Sequence, residues 1–155
     1  MHRLPSPFVT AKLLGGGVAT RPVRVLDGAA FSDFDGFCVE FSRSALDSRY
    51  DWRGNLDAFN DILGGGFGTP DAPWILRWKH VARSRETLGW MATKRWLAER
   101  MRTCHPANVE AFRERLAQAQ REQGNTLFDE LVSILRDHGA GGHVAEDGII
   151  LELEE

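Results

Sequence analysis

Trp74-Ile75-Leu76-Arg77-Trp78 is the stretch on which the fold turns. Its first three residues are a continuous apolar run with a further tryptophan just beyond, the pattern of a strand buried on both faces of a parallel sheet. Immediately before it, Gly64-Gly65-Gly66-Phe67-Gly68-Thr69-Pro70 cannot sustain a helix, because glycine is too free and proline lacks the donor. Upstream of that break, Asn55 is a plausible N-cap for a short helix running to about Leu63. The two faces of this helix differ. Leu56, Phe59, Ile62 and Leu63 suit a core, whereas Asp57, Asn60 and Asp61 fall together on the opposite side by three- and four-residue spacing.

Working outward, Val23, Val25 and Leu26 form a β-branched-rich run closed by Asp27-Gly28, which reads as a strand and turn. Ser32 then precedes Phe34, Phe37, Cys38 and Phe41 at helical spacing, with Asp35 three residues after that cap. Asp47 to Gly54 is polar and aromatic, a loop. Beyond Lys79 helices are expected near Ser84–Leu88, Met91–Thr103, Pro106–Glu122 and Thr126–His138, with Gly124 and Gly139 as stops. Gly148 introduces a last strand, Ile149-Ile150-Leu151 with Leu153. Short strands separated by helices predict an α/β fold, a small three-stranded parallel sheet packed with helices. Residues 1–21, with Gly15-Gly16-Gly17, are expected to be a flexible extension. Residues 22–155 are expected to be one domain with a helical insertion at about 90–124.

A chain of 155 residues with 43% hydrophobic and 26% charged residues can bury a core without disulfides or metal. No apolar run approaches the roughly 20 residues that a spanning helix needs, and two cysteines suit a reducing compartment, so the expected location is the cytoplasm. The net charge of −3 conceals a division. Asp27 to Ala72 holds nine acids and three basic residues, whereas Pro73 to Arg121 holds eleven basic residues and four acids. The acidic segment favours encounter with a cationic partner; the basic one suits nucleic acid or an acidic protein.

Most catalytic chemistries lack their residues here. The glycine run is followed by no Gly-Lys-Ser/Thr, so it is no phosphate loop. Cys104-His105 has no second pair to complete four zinc ligands, and Asp57 with Asp61 has no nearby histidine or third acid. No metal, cofactor or enzymatic activity is expected. Cys38 reads as a buried small hydrophobe, and His80, His138 and His143 as surface or turn positions.

Asn55-Leu56-Asp57-Ala58-Phe59-Asn60-Asp61-Ile62-Leu63, preceded by an aromatic loop and followed by Trp74 to Trp78, resembles the second helix and central strand of the barstar family. Val23 to Gly28, Phe128 to Gly139 and Ile149 to Leu153 correspond to its first strand, penultimate helix and closing strand. The resemblance implies a bacterial, cytoplasmic antitoxin or immunity protein, monomeric when free. Such a protein inhibits a barnase-type ribonuclease without catalysis, by setting helix carboxylates where RNA phosphates bind. By matching position Asp61 is the implied anchor and Asp57 its neighbour, with Asn60, Asn55, Gly54 and Tyr50 or Trp52 of the loop completing the surface. Asn60 stands where the family's prototype has a tryptophan, and Ile134 where it has a further acid. Two rival functions are a regulatory module of the same fold that binds another basic protein, and nucleic-acid binding through Arg95, Arg100 and Arg102.

Overall fold

A computed structural model of the chain describes residues 8–12 and 18–155. Three parallel strands, β2 (Val18–Asp27), β3 (Trp74–Lys79) and β4 (Ile149–Leu153), form the body of one open sheet in which β3 is central. The expected α/β class and parallel sheet are therefore present. A further strand, β1 (Phe8–Lys12), pairs antiparallel with the first half of β2, Phe8 opposite Pro22 and Lys12 opposite Val18. β2 begins at Val18, four residues before Pro22, where pairing with β1 supplies backbone partners that composition does not reveal. The remainder of the expected extension, residues 1–7 and 13–17, lies outside the described residues.

Helices α1 (Phe34–Ser44) and α2 (Leu56–Leu63) connect β2 to β3. Helices α3 (Val81–Thr87), α4 (Trp90–Thr103), α5 (Val109–Gln120) and α6 (Leu127–Asp137) connect β3 to β4. Caps adjust the expected boundaries. Asp33, not Ser32, caps α1 by accepting from Gly36 N at 2.7 Å. Pro106–Asn108 forms a single 3-10 turn before α5 instead of joining it. Thr126 caps α6 in a reciprocal capping box with Asp129.

The core gathers on the apolar face of α1. Phe37 lies 5.3 Å, centroid to centroid, from the ring of Trp78 on β3 and 6.0 Å from Phe41. Trp52, from the loop before α2, stacks on Phe59 at 4.6 Å and meets Phe34, Phe37 and Phe41 edge-on. Such aromatic pairs add about 0.5–1.5 kcal/mol each beyond area burial, so the cluster holds α1, α2 and β3 to one another. Polar ties close the edges. Arg24 of β2 donates to the carbonyls of Ser44 and Ala45 at the end of α1, at 3.2 and 3.0 Å. Buried Glu40 accepts from Asp27 N and from the Arg43 guanidinium at 2.9 Å. Arg77 of β3 reaches Glu152 and Glu154 across the β4 pairing.

The stretch expected as an insertion contains α4 and α5, which pack on each other through Trp96 and Phe112. Arg100 lies over the Phe112 ring and Arg115 over Trp96. Buried Thr93 anchors the pair to α6: its hydroxyl donates to Gly89 O at 2.7 Å and accepts from Leu127 N at 2.8 Å. Thr93→Val keeps the shape but strands the Leu127 N–H. We expect it to lower unfolding stability by about 1–3 kcal/mol, read from urea titration; a loss below about 0.5 kcal/mol would show that the tie is dispensable.

Candidate functional site

The site is built on α2, eight residues long. Asn55 starts it: its Oδ1 accepts from Ala58 N at 2.9 Å, and its carbonyl accepts from the Trp52 indole N–H at 2.8 Å. A side-chain cap of this kind stabilises a helix start by about 1 kcal/mol, which matters in so short a segment. Phe59, Ile62 and Leu63 are buried, fixing the rotation of the helix about its axis. Asp57 and Asp61 are consequently exposed, one turn apart on the outer face. Neither carboxylate has a hydrogen bond or salt bridge among the described residues. Asp57 lies in the first turn, where the helix dipole favours an anion.

The structure sorts the other expected contact residues into two groups. Asn60 is exposed on the same helix, and Tyr50 is 40% exposed, packed edge-on against Phe67 at 4.9 Å. Tyr50 lines an open groove of about 530 Å³ with Val39, Ser42, Arg43, Ser48, Arg49 and Asp51. Trp52 and Gly54 do not reach the surface, which corrects their expected role. The Trp52 ring is 2% exposed, held by the Phe59 stack and its own N–H bond to Asn55. Gly54 is buried at φ +104°, with the Phe34 ring 3.0 Å from where a Cβ would stand. A glycine is required there by both backbone and space. Asn55 acts through its cap.

His138 is the residue that sequence reasoning misplaced. It is not at the surface but 3% exposed, at the end of α6. Its Nδ1 lies 2.7 Å from Asp147 Oδ2 and its Nε2 2.6 Å from Asn60 Oδ1, joining α6, the 3-10 turn Ala145–Asp147 and α2. A signal was present: His138 stands three residues after Leu135, on the stripe of Phe128, Leu131 and Val132. His80 and His143 are exposed as expected, bonded to Asp27 and Asp137. A backbone N–H from Ala29, seconded by His80, holds the Asp27 carboxyl below its ordinary range. The backbone N–H and ring of His143 do the same for Asp137.

Several basic residues of α4 and α5 are engaged internally: Arg102 pairs with Glu99, Arg113 with Glu110, and Arg115, besides lying over Trp96, with Glu130, whereas Lys94 and Arg95 have no such partner among the described residues. Among the described residues, no three His, Cys, Asp or Glu gather as a metal-holding group, and no helix is long and apolar enough to cross a membrane. The chain matches no family model, no curated protein and no solved structure.

Both cysteines are free. Burial, with Asp35 nearby, pushes the Cys38 thiol up to about 12, so its thiolate is scarce at neutral pH, whereas Cys104 is only half-buried. Iodoacetamide at mildly alkaline pH is expected to label Cys104 at least about tenfold faster than Cys38, by peptide mass spectrometry, with the difference vanishing in denaturant. Equal labelling of the native protein would contradict the burial of Cys38.

Proposed function

We propose that this protein is a stoichiometric inhibitor of a ribonuclease, blocking a cationic active-site groove with the outer face of α2. The observation that carries the reading is the pair of exposed carboxylates, Asp57 and Asp61, without partners among the described residues on a capped helix whose inner face is locked in the core. A ribonuclease gathers arginine, lysine and histidine to hold phosphates. Rigid carboxylates one helical turn apart offer that groove charge-assisted hydrogen bonds with little ordering entropy. Two like charges so placed cost the free protein a few tenths of a kcal/mol, a cost that makes sense if they meet a cation elsewhere.

The resemblance to the barstar family names the partner class, a barnase-type or toxin ribonuclease. It also implies the setting: an immunity protein or antitoxin acting without catalysis in the cytoplasm of the producing bacterium. With Trp52 in the core, the aromatic contribution to the contact falls to Tyr50, which is exposed in the loop before α2. The excess of nine acids over three basic residues from Asp27 to Ala72 would steer the approach of a basic enzyme, an effect that salt screens. The reading as nucleic-acid binding through Arg95, Arg100 and Arg102 receives less support, because two of the three, Arg100 and Arg102, are engaged within the hairpin and only Arg95 is without a partner among the described residues.

Pull-down with wild type and Asp61→Ala, followed by ribonuclease inhibition assays, tests the reading. Truncating one partner of a buried charge pair costs about 2–5 kcal/mol, so Asp61→Ala is expected to weaken inhibition by at least about 30-fold without loss of stability. Asp57→Ala should weaken it less, and added salt should slow association. If a panel of barnase-type ribonucleases stays fully active in excess inhibitor, the proposal fails.

A further inference from the structure

An imidazole has two ring nitrogens, and the neutral ring carries a hydrogen on only one of them. At His138 both nitrogens face oxygen: Nδ1 meets the Asp147 carboxylate at 2.7 Å, and Nε2 meets the side-chain carbonyl of Asn60 at 2.6 Å. Both contacts are hydrogen bonds only when both nitrogens carry hydrogen, that is, when the ring is an imidazolium balanced by Asp147. When the ring is neutral, with its hydrogen on the Asp147 side, Nε2 presents a lone pair. The Asn60 amide must then turn by half a rotation to bring its NH2 inward.

The atoms that Asn60 shows to solvent therefore alternate. With an imidazolium inside, its carbonyl is consumed and its NH2 faces out; among the described residues that nitrogen has no partner. With a neutral ring inside, the carbonyl oxygen faces out. Asn60 follows Phe59 on the core-bound helix and lies beside Asp61, on the face where Asp57 also stands.

We propose that His138 is a positioning residue whose ring proton selects the atom Asn60 presents beside Asp57 and Asp61, an acceptor when the ring is neutral and a donor when it is charged. The consequence for binding rests on the reading of α2 as a contact face. A phosphate-binding groove is rich in donors, so it accepts the carbonyl-out state and opposes the NH2-out state.

The charges that bear on the ring come from each neighbouring element. Asp147 contacts it from the 3-10 turn. Asp137 precedes it on α6, carrying the His143 contact. Asp57 and Asp61 lie on α2. Asp147 also sits near the end of α2, its Oδ2 4.0 Å from where a Cβ on Gly64 would stand. From β4, Ile149 supplies only its backbone N–H, bonded to the His138 carbonyl. No helix needs to move for the switch; one amide turns.

The first arm of the test needs no partner. Long-range proton–nitrogen NMR of the His138 ring and of the Asn60 side-chain amide is followed across a pH titration. The Asn60 NH2 signals are expected to shift in step with the ring, and to lose that step in Asp147→Asn or His138→Gln. A His138 ring that keeps one charge throughout, or an Asn60 amide indifferent to it, overturns the proposal.

The second arm measures affinity for a ribonuclease inhibited by the wild type. Acidification is expected to weaken binding by about tenfold more in wild type than in His138→Gln, the effect of one hydrogen bond to a charged donor. Identical pH profiles overturn the consequence for binding. If His138→Gln does not fold, Asp147→Asn takes its place in both arms. Failure to find any inhibited ribonuclease counts against the proposed function, whereas the coupling of His138 to Asn60 stands or falls on the NMR titration alone.

Discussion

The stack of Trp52 on Phe59, set among Phe37 and Phe41, is the contact on which the rest of the molecule depends. It holds the loop before α2 and the inner face of α2 in one aromatic cluster, continuous through Phe37 with Trp78 on the central strand. A helix of eight residues is marginal alone, and its orientation comes from what it buries. With Phe59 pinned, Asp57 and Asp61 have only the outer face to occupy.

Two polar devices finish what the stack begins. At the start of α2, Asn55 caps the helix with its side chain and holds the Trp52 indole with its carbonyl, so cap and core are one arrangement. Near the other end, His138 reaches Asn60 from α6 and brings Asp147 with it. This second tie depends on α6 ending close against β4. A Cβ at Gly139 would stand 2.3 Å from the Ile149 carbonyl, and the Ile149 N–H bonds the His138 carbonyl at 3.0 Å. The acidic face is thus supported from the closing strand as well as from the core.

The charge division along the chain acquires a structural meaning. The acidic residues of α2 are unpaired among the described residues, whereas several basic residues of α4 and α5 are used internally, over Phe112 and Trp96 or against Glu99, Glu110 and Glu130. The division of charge therefore describes an open face in one place and a partly self-paired hairpin in the other. Exposed pairs contribute little to stability, but they reduce the free positive charge available to a polyanion.

The sequence by itself determined the elements and their faces. The apolar run at Trp74, the glycine break before it and the two-sided pattern from Leu56 to Leu63 are local signals, because side-chain periodicity and backbone freedom act over a few residues. They were enough for the α/β class, the parallel strands and the outward placement of Asp57 and Asp61. Only the tertiary structure decided the rest. Trp52 and Tyr50 are two residues apart in the same polar loop, yet one is in the core and the other at the surface, because Phe59 and Phe34 offer a pocket to the first. The β1 pairing and the Asp147–His138–Asn60 chain join residues distant in sequence, with Asn60 and His138 separated by 78 positions. Hydrogen-bond partners of that kind are set by how packed elements meet in space, which no local pattern encodes.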